Sequence, residues 1–316
     1  MKILCIGEAL IDMICTDTGS TLSKGEHFLK KPGGAPTNVA AAIAALGGDV
    51  LLAAKVGADP FGEQLIEVMK DFGVSTQYMQ QDKDYFTTFA YVSLMNDGER
   101  DFVFNRGADG QLSESDVDGI NLAECSIVHF GSATGFLPGP LQQTYKGLLH
   151  KAIDNNLFIS FDPNYRHLLF KNNTATFIEQ SWYFMERCHF FKVSDEEAML
   201  LTNSSAIDEA SSILSKKTTA TFAITLGKEG TMLVYKNEKI IVPSIPVKPI
   251  DTTGAGDAFV GAVLYQLSNF SLDDILAMTI DEWKAVIANG NKAGGRTCEY
   301  MGAMEAFKHL SNGIFE

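Results

Sequence analysis

Short apolar segments that end in a small or polar residue recur along the chain, with helix-like stretches between them. Continuous apolar runs of this length are typical of strands buried on both faces. The segments are KILCIG (2–7), VLLAAKVG (50–57), CSIVHFGS (125–132), LFISFDPN (157–164), HFFKVS (189–194) and TFAITLG (221–227). Strands that alternate with helices predict an α/β fold, in which helices cover both faces of a mainly parallel sheet.

Two regions interrupt this alternation. Residues 84–106 are rich in Thr, Tyr, Phe and Val, and predict a β-hairpin that turns near Asn96-Asp97-Gly98. Residues 12–31 are also strand-like and lack a helical period. We therefore expect a small β-sheet appendage from 12–31 and 84–109, and a large α/β domain from 1–11, 32–83 and 110–316.

The composition limits the partners and the compartment. There are 39 acidic and 25 basic residues, and the net charge of −14 disfavours nucleic acid or an anionic membrane as a partner. Five widely spaced cysteines without a CxxC pattern favour a reducing cytoplasm. The chain has no P-loop, and the dinucleotide fingerprint is missing after its first strand, which disfavours a dehydrogenase.

Ligands of such sheets bind beyond the carboxyl ends of the strands. Polar and small residues at those ends are therefore candidates for a site, and they are Gly131, Asp162, Asn164, Ser194 and Thr225.

The stretch DTTGAGD (251–257) joins a β-branched segment to an apolar helix. Gly254 and Gly256 let the backbone approach a ligand, and the helix predicted to begin near Asp257 points free N–H groups at it. A carboxylate beside such an anion hole suggests a base that accepts a proton from an attacking hydroxyl. The competing interpretation is that Asp257 only caps the helix.

Two further stretches suit a polyhydroxy ligand. In GGAPTN (33–38), Gly33 and Gly34 would admit the ligand and Asn38 would hydrogen-bond it, although a tight turn into a helix explains the stretch equally well. In DPNYR (162–166), Arg166 could meet a phosphate or a sugar hydroxyl, or be a surface arginine on a turn.

Two strand ends suit a nucleotide and its metal. Glu197 in SDEEAMLLT (194–202) could order water around Mg²⁺, although acids at a helix start are ordinary dipole partners. TLGKEG (225–230) is a strand-end turn that could touch a nucleotide phosphate.

In this order along the chain, these stretches resemble the pfkB (ribokinase-like) family of carbohydrate kinases. GEALID, VGADPFG, DPNYR and TLGKEG match the family's sequence, and the glycine-rich stretch at 33–48 and DTTGAGD resemble its two signatures. The resemblance covers nearly the whole chain. It implies a three-layer α/β sandwich with a β-sheet lid over the sugar.

The resemblance also implies roles for single residues in transfer from ATP. Asp257 would be the base, and the backbone N–H groups of Ala255, Gly256 and Asp257, in the stretch that begins at Gly254, would form the anion hole. The sugar and the transferred phosphate would contact Asp12, Gly33, Gly34, Asn38, Arg106 and Arg166. The nucleotide would contact Lys192, Ser194, Thr225, Gly227, Gly230 and Asn291. Glu197 would act on Mg²⁺ through water, and Asp251 and Thr253 would lie at a monovalent cation, usually K⁺. Ser194 departs from the family, in which many members have asparagine.

GGAPTN resembles the fructokinase branch, whereas the ribokinase branch tends to have GGKGAN. We therefore predict phosphorylation of fructose at its 6-hydroxyl, with 2-keto-3-deoxygluconate and aminoimidazole riboside as alternative substrates. A sugar-binding sensor without catalysis is the alternative of another class, which the presence of Asp257 disfavours. A homodimer through the lid is expected, because exposed β edges invite pairing.

Overall fold

The computed structural model describes residues 1–95, 100–131 and 133–315, and its largest feature is a twisted nine-stranded sheet. Its strands are β1 Lys2–Ile6, β4 Val50–Gly57, β5 Met79–Asp82, β8 Cys125–Gly131, β9 Phe158–Asp162, β10 Phe190–Ser194, β11 Thr221–Thr225, β12 Thr231–Tyr235 and β13 Glu238–Val242. The order is β13-β12-β11-β10-β9-β8-β1-β4-β5. All pairs are parallel except β11 with β12 and β12 with β13.

Helices cover both faces of this sheet. They are α1 Ala35–Ala45, α2 Pro60–Phe72, α3 Glu114–Val117, α4 Pro140–Asp154, α5 His167–Phe170, α6 Thr174–Met185, α7 Asp195–Thr202, α8 Ile207–Lys217, α9 Ala255–Leu267, α10 Leu272–Ala277, α11 Ile280–Thr297 and α12 Ala303–Phe307. Short 3₁₀ turns lie at Ala108–Gln111, Leu122–Glu124, Gly227–Glu229 and Asn312–Phe315. No helix in the described part of the chain is both long and apolar enough to span a membrane.

Two separate cores explain the uninterrupted apolar runs. Side chains of one strand point alternately to opposite faces, so that Ile3 and Cys5 join the core under α1, α9 and α11. Leu4 and Ile6 join the core under α4, α6 and α7 on the other face. This confirms the predicted α/β sandwich. The six predicted strands are all present, whereas β5, β12 and β13 were not assigned from the sequence.

A second sheet of four strands lies beside the large one. Its strands are β2 Leu10–Cys15, β3 Phe28–Gly33, β6 Thr88–Leu94 and β7 Arg100–Asn105, in the order β3-β2-β6-β7. β6 and β7 pair antiparallel, as the predicted hairpin requires, but Asn96-Asp97-Gly98 lies outside the described residues. Asp59 ties this lid to the body, since it caps α2 and also accepts hydrogen bonds from Thr87 N (2.8 Å) and Oγ1 (2.8 Å).

Close contact between α1 and α9 sets the position of both helix N-termini. A β-carbon on Gly261 of α9 would lie 2.8 Å from the Cβ of Ala42 of α1, so the glycine permits this approach. The alanine-rich sequence of α1 keeps its contact face thin. The two helices therefore begin near each other, at the carboxyl edge of the large sheet.

Gly34, which joins β3 to α1, cannot readily be replaced. Its φ is +109°, and a β-carbon there would lie 2.3 Å from the carbonyl oxygen of Glu8. We predict that Gly34→Ala lowers the free energy of unfolding by about 3 kcal/mol or more, through backbone strain and this clash.

Gly73→Ala is the matched control, because Gly73 has a φ of +89° but open space around its Cα. This substitution should cost only about 1 kcal/mol, from backbone strain alone. Urea unfolding of both variants checks the difference. Equal losses would show that the contact with Glu8 is unimportant.

Candidate active site

The site lies where α1 and α9 begin, above the carboxyl ends of β9 and β10. Asn38 Nδ2 of α1 donates a hydrogen bond of 2.8 Å to Asp257 Oδ2 of α9. Beneath them, Lys192 Nζ of β10 lies 3.2 Å from Asp162 Oδ2 of β9. Residues from four elements thus converge on one place.

The first turn of α9 provides free backbone donors. The helix begins at Ala255, two residues before the predicted start, and Gly254 precedes it with a φ of +81°. The N–H groups of Gly256 and Asp257 have no preceding helical carbonyl to bond. Ala255 N–H donates to the Thr252 carbonyl at 3.2 Å, so its predicted contact with a phosphoryl group requires that bond to open.

Asp257 does not cap α9, because the N-cap is Gly254 and no side chain caps the helix. Burial raises the pKa of the Asp257 carboxyl to about 6, although the hydrogen bond from Asn38 opposes this. The charge of Asp162 raises the pKa further, while Arg166 and Lys192 lower it. Asp257 is therefore a half-buried carboxylate that can exchange a proton near neutral pH.

The lid contributes a second carboxylate. Burial raises the pKa of Asp12 on β2 to about 6, and the positive charge of Arg166 opposes the rise. A β-carbon on Gly33 would lie 2.2 Å from Asp12 Oδ2, so only glycine leaves room for this carboxylate. The positive charge of the exposed Arg166 lowers the pKa of both Asp12 and Asp257.

Asn38 has an unused hydrogen-bonding group. Its Oδ1 is buried and has no partner among the described residues, whereas its Nδ2 bonds Asp257. Such an orphaned acceptor is costly unless a ligand hydroxyl or water reaches it. The arrangement suits the predicted role of Asn38 toward a sugar hydroxyl, which stays a prediction.

Ser194 and Glu197 form a capping box at the start of α7. Glu197 N donates to Ser194 Oγ at 3.1 Å, and Ser194 N donates to Glu197 Oε2 at 2.7 Å. Glu197 Oε1 also accepts from Tyr165 N at 2.6 Å. Both carboxylate oxygens of Glu197 therefore accept hydrogen bonds from backbone N–H groups. A water molecule bound to a metal would have to share these oxygens with those N–H groups.

Three of the predicted nucleotide contacts, Thr225, Gly227 and Gly230, lie in and after β11, which pairs with β10. Thr225 ends β11, and Gly227 follows in a left-handed conformation with open space around its Cα. Gly230 packs tightly, since a β-carbon there would lie 2.1 Å from the Val242 carbonyl oxygen.

Asn291 is occupied by protein contacts. It accepts from Thr231 Oγ1 at 2.6 Å and donates to the carbonyls of Val242 and Pro243 at 2.9 and 3.2 Å. In this structure its amide therefore fixes the end of β13, and its predicted contact with a nucleotide stays a prediction.

Asp251 organises the loop that precedes α9. Its Oδ1 accepts from Thr253 N and Oγ1, and its Oδ2 accepts from Gly302 N. Burial raises the pKa of Asp251, but these hydrogen bonds outweigh it, so the net pKa is lowered. The described residues contain no cluster of three or more His, Cys, Asp or Glu side chains that could hold a metal.

Arg106 is turned toward the protein. Its Nη1 and Nη2 donate to the carbonyls of Pro138 and Thr134 at 2.6 and 3.3 Å, and its Nε lies 3.6 Å from Asp109 Oδ2. The fully buried Asp109 received no role from the sequence. The predicted sugar contact of Arg106 needs one of its remaining N–H groups or a different side-chain orientation.

Comparison with known proteins identifies the family. Residues 1–309 match the pfkB family carbohydrate kinases. The chain is 34% identical to Probable fructokinase-5 of Arabidopsis thaliana, over 96% of this chain and 93% of that protein.

Solved structures agree with this match. A fructokinase double mutant from Vibrio cholerae O395, in its fructose-, ADP- and potassium-bound form, has a TM-score of 0.83 and 28% identity, covering 99% of this chain and 96% of that one. Aminoimidazole riboside kinase from Salmonella enterica, with its riboside and an ATP analogue, has a TM-score of 0.81 and 25% identity, covering 100% and 98%. The chain belongs to the pfkB family of carbohydrate kinases.

Proposed function

We propose that this kinase transfers the γ-phosphoryl group of ATP to the 6-hydroxyl of D-fructose. The observation that carries the proposal is the hydrogen bond of 2.8 Å between Asn38 and Asp257, at the start of α9. It holds a weakly acidic carboxylate beside free helix N–H groups, as a base and an anion hole require. Fructose is favoured because the Arabidopsis thaliana relative bears the name Probable fructokinase-5 and the Vibrio cholerae structure is that of a fructokinase with bound fructose.

In this mechanism Asn38 engages Asp257 Oδ2, and Asp257 Oδ1 accepts the proton of the sugar hydroxyl. The N–H groups of Gly256 and Asp257 then stabilise the phosphoryl oxygens in transit, together with Lys192. Asp12 binds sugar hydroxyls from the lid. Closure of the lid over the sugar excludes water, which would otherwise hydrolyse ATP.

We also propose two cations. Glu197 would hold Mg²⁺ through water, and the charged Asp251 with Thr253 would lie beside K⁺. Bound cations would supply positive charge that neutralises the phosphates. Asp251 Oδ1 accepts hydrogen bonds from Thr253 N and Oγ1, and this contact supports the proposal by bringing the two residues together. The five free cysteines support a cytoplasmic location.

Aminoimidazole riboside is the second candidate substrate, since its kinase from Salmonella enterica has almost the same TM-score as the fructokinase. Aminoimidazole riboside carries a nitrogen-containing ring that fructose lacks and is therefore bulkier, but both compounds have a primary hydroxyl. A panel of both compounds with ribose and 2-keto-3-deoxygluconate separates them. We expect the highest kcat/KM with fructose.

For the base, we predict that Asp257→Asn lowers kcat with fructose by about 10²- to 10⁴-fold, because proton acceptance is lost while shape is kept. Release of ADP, followed with Mg²⁺ present, measures this. Asp12→Asn should instead raise the KM for fructose by about tenfold, since it removes a charged hydrogen-bond partner.

Asp273→Asn is the matched control for Asp257→Asn. Asp273 also lies in the first turn of a helix, α10, but it is exposed. The Asp273→Asn substitution should leave the kcat with fructose unchanged. Wild-type turnover in Asp257→Asn would refute the assigned base, and no Mg-dependent turnover by the wild type on any sugar would refute the kinase proposal.

We propose that the lid also joins two copies of the chain. Ile14, Leu29 and Leu94 lie on the same face of the lid as Asp12, by their pairing register, and are 40, 43 and 58% exposed. A second lid packed there would bury this apolar surface. We predict a dimer mass by light scattering that Leu94→Glu converts to a monomer mass. A monomeric wild type would exclude this dimer.

A further inference from the structure

A buried ion pair lies directly behind the anion hole. Asp162 and Lys192 are only 3 and 8% exposed. Asp162 is the last residue of β9, and Lys192 lies in the adjacent strand β10. The Lys192 Nζ atom lies 3.2 Å from Asp162 Oδ2. The other carboxylate oxygen of Asp162, Oδ1, accepts from Asn164 N at 3.0 Å. Asp162 therefore fixes both the ammonium group and the turn that leads to Arg166.

The ammonium group of Lys192 reaches the first turn of α9. A β-carbon on Gly256 would lie 3.3 Å from Lys192 Nζ. Since the glycine leaves this approach open, the positive charge lies against the backbone N–H groups that form the anion hole. A phosphoryl group in transit at Gly256 would meet it.

The charged groups around Asp257 act in opposite directions. Burial raises the pKa of Asp257 most, and the hydrogen bond from Asn38 of α1 lowers it. The negative charge of Asp162 raises this pKa, whereas the positive charges of Arg166 and Lys192 lower it. Lys192 also faces Glu197 and the buried His129, whose own pKa is lowered to about 3 by burial and by this ammonium group. His129 is therefore neutral, and Asp162 supplies the nearest compensation for Lys192.

We propose that Asp162 is a positioning residue for phosphoryl transfer, which holds the Lys192 ammonium against the first turn of α9 and offsets its charge at Asp257. This inference rests on the proposed function of Asp257 as the base. Without Asp162, the ammonium group would be left with Glu197, whose two oxygens already accept backbone hydrogen bonds, and with Asp257, toward which it would turn. The base would then be paired and less basic, and the anion hole would lose an aimed cation.

The pH dependence of kcat at saturating fructose tests the proposal, because Asp257 must be deprotonated to act, whereas Asp12, whose pKa is also raised to about 6, is proposed to affect the KM. With a pKa of about 6, the wild-type rate falls as the pH drops through that value. In Asp162→Asn a negative neighbour is lost, so the acid limb should move to lower pH, by on the order of half a unit. The maximal kcat should fall about tenfold or more, since Lys192 is no longer aimed.

Lys192→Met gives the opposite sign. Loss of the positive neighbour should move the acid limb to higher pH, by on the order of half a unit, and should also lower kcat. If the pair had a purely structural role, the acid limbs of Asp162→Asn and Lys192→Met would move in the same direction or not at all. Asp162→Glu, which keeps the charge, should keep the wild-type limb while its kcat reports the altered position of Lys192.

Asp116→Asn is the matched control. Asp116 forms another largely buried pair, with Lys55 at 3.0 Å, which shares no residue with the site. Its loss should lower the melting temperature but leave the acid limb in place. A wild type without turnover on any sugar refutes the proposed function itself. If the wild type is active but the acid limb of Asp162→Asn lies at the same pH as that of the wild type, the inference is overturned. If Asp162→Asn does not fold, the inference is overturned by an acid limb of Lys192→Met that is unmoved or shifted to lower pH.

Discussion

The site depends on close packing of two helices, which brings Asn38 to Asp257. The alanines of α1 and Gly261 of α9 let the two backbones approach, and the helices begin side by side as a result. A larger side chain in this contact would push the two helix N-termini apart, even though the contact itself is remote from any ligand. The hydrogen bond of 2.8 Å between the two residues is thus a consequence of packing far along both helices.

Local charge is arranged against the overall charge. The chain carries a net charge of −14, yet its site must accept an anionic nucleotide. In the proposed mechanism, attraction for the phosphoryl group comes from the positive end of α9, the ammonium of Lys192 and the exposed guanidinium of Arg166. Burial raises the pKa of both the Asp12 and the Asp257 carboxyl to about 6, so both remain largely charged at neutral pH, and the positive groups offset their repulsion toward that anion.

Much of the fold could be predicted from the sequence, because buried parallel strands and their helices leave a local pattern. The hairpin of β12 and β13 was missed, although both strands are rich in β-branched residues, since the turn at Lys236 and Asn237 has no glycine to mark it. The candidate anion-hole stretch and the candidate base could also be proposed from the sequence, since glycines and an acid at a helix start are local signals.

The partners of those residues were not predictable, because they come from distant parts of the chain. Asn38 and Asp257 are 219 positions apart, and nothing local shows that Asp162 pairs with Lys192. Arg106 and Asn291 bond backbone carbonyls in this structure, which only the folded chain brings to them. The acid Asp162 was noted at a strand end, but its role depends on this pairing.

The central claim is that Asp257 accepts a proton and never carries the phosphoryl group. A carboxylate beside an anion hole could instead be phosphorylated, as an intermediate in two displacements. The stereochemical course of transfer from ATP with a chiral γ-thiophosphoryl group separates the two mechanisms. Direct in-line transfer to fructose, as this account predicts, inverts the configuration at phosphorus. Retention of configuration would contradict it, because it would require a phosphorylated intermediate.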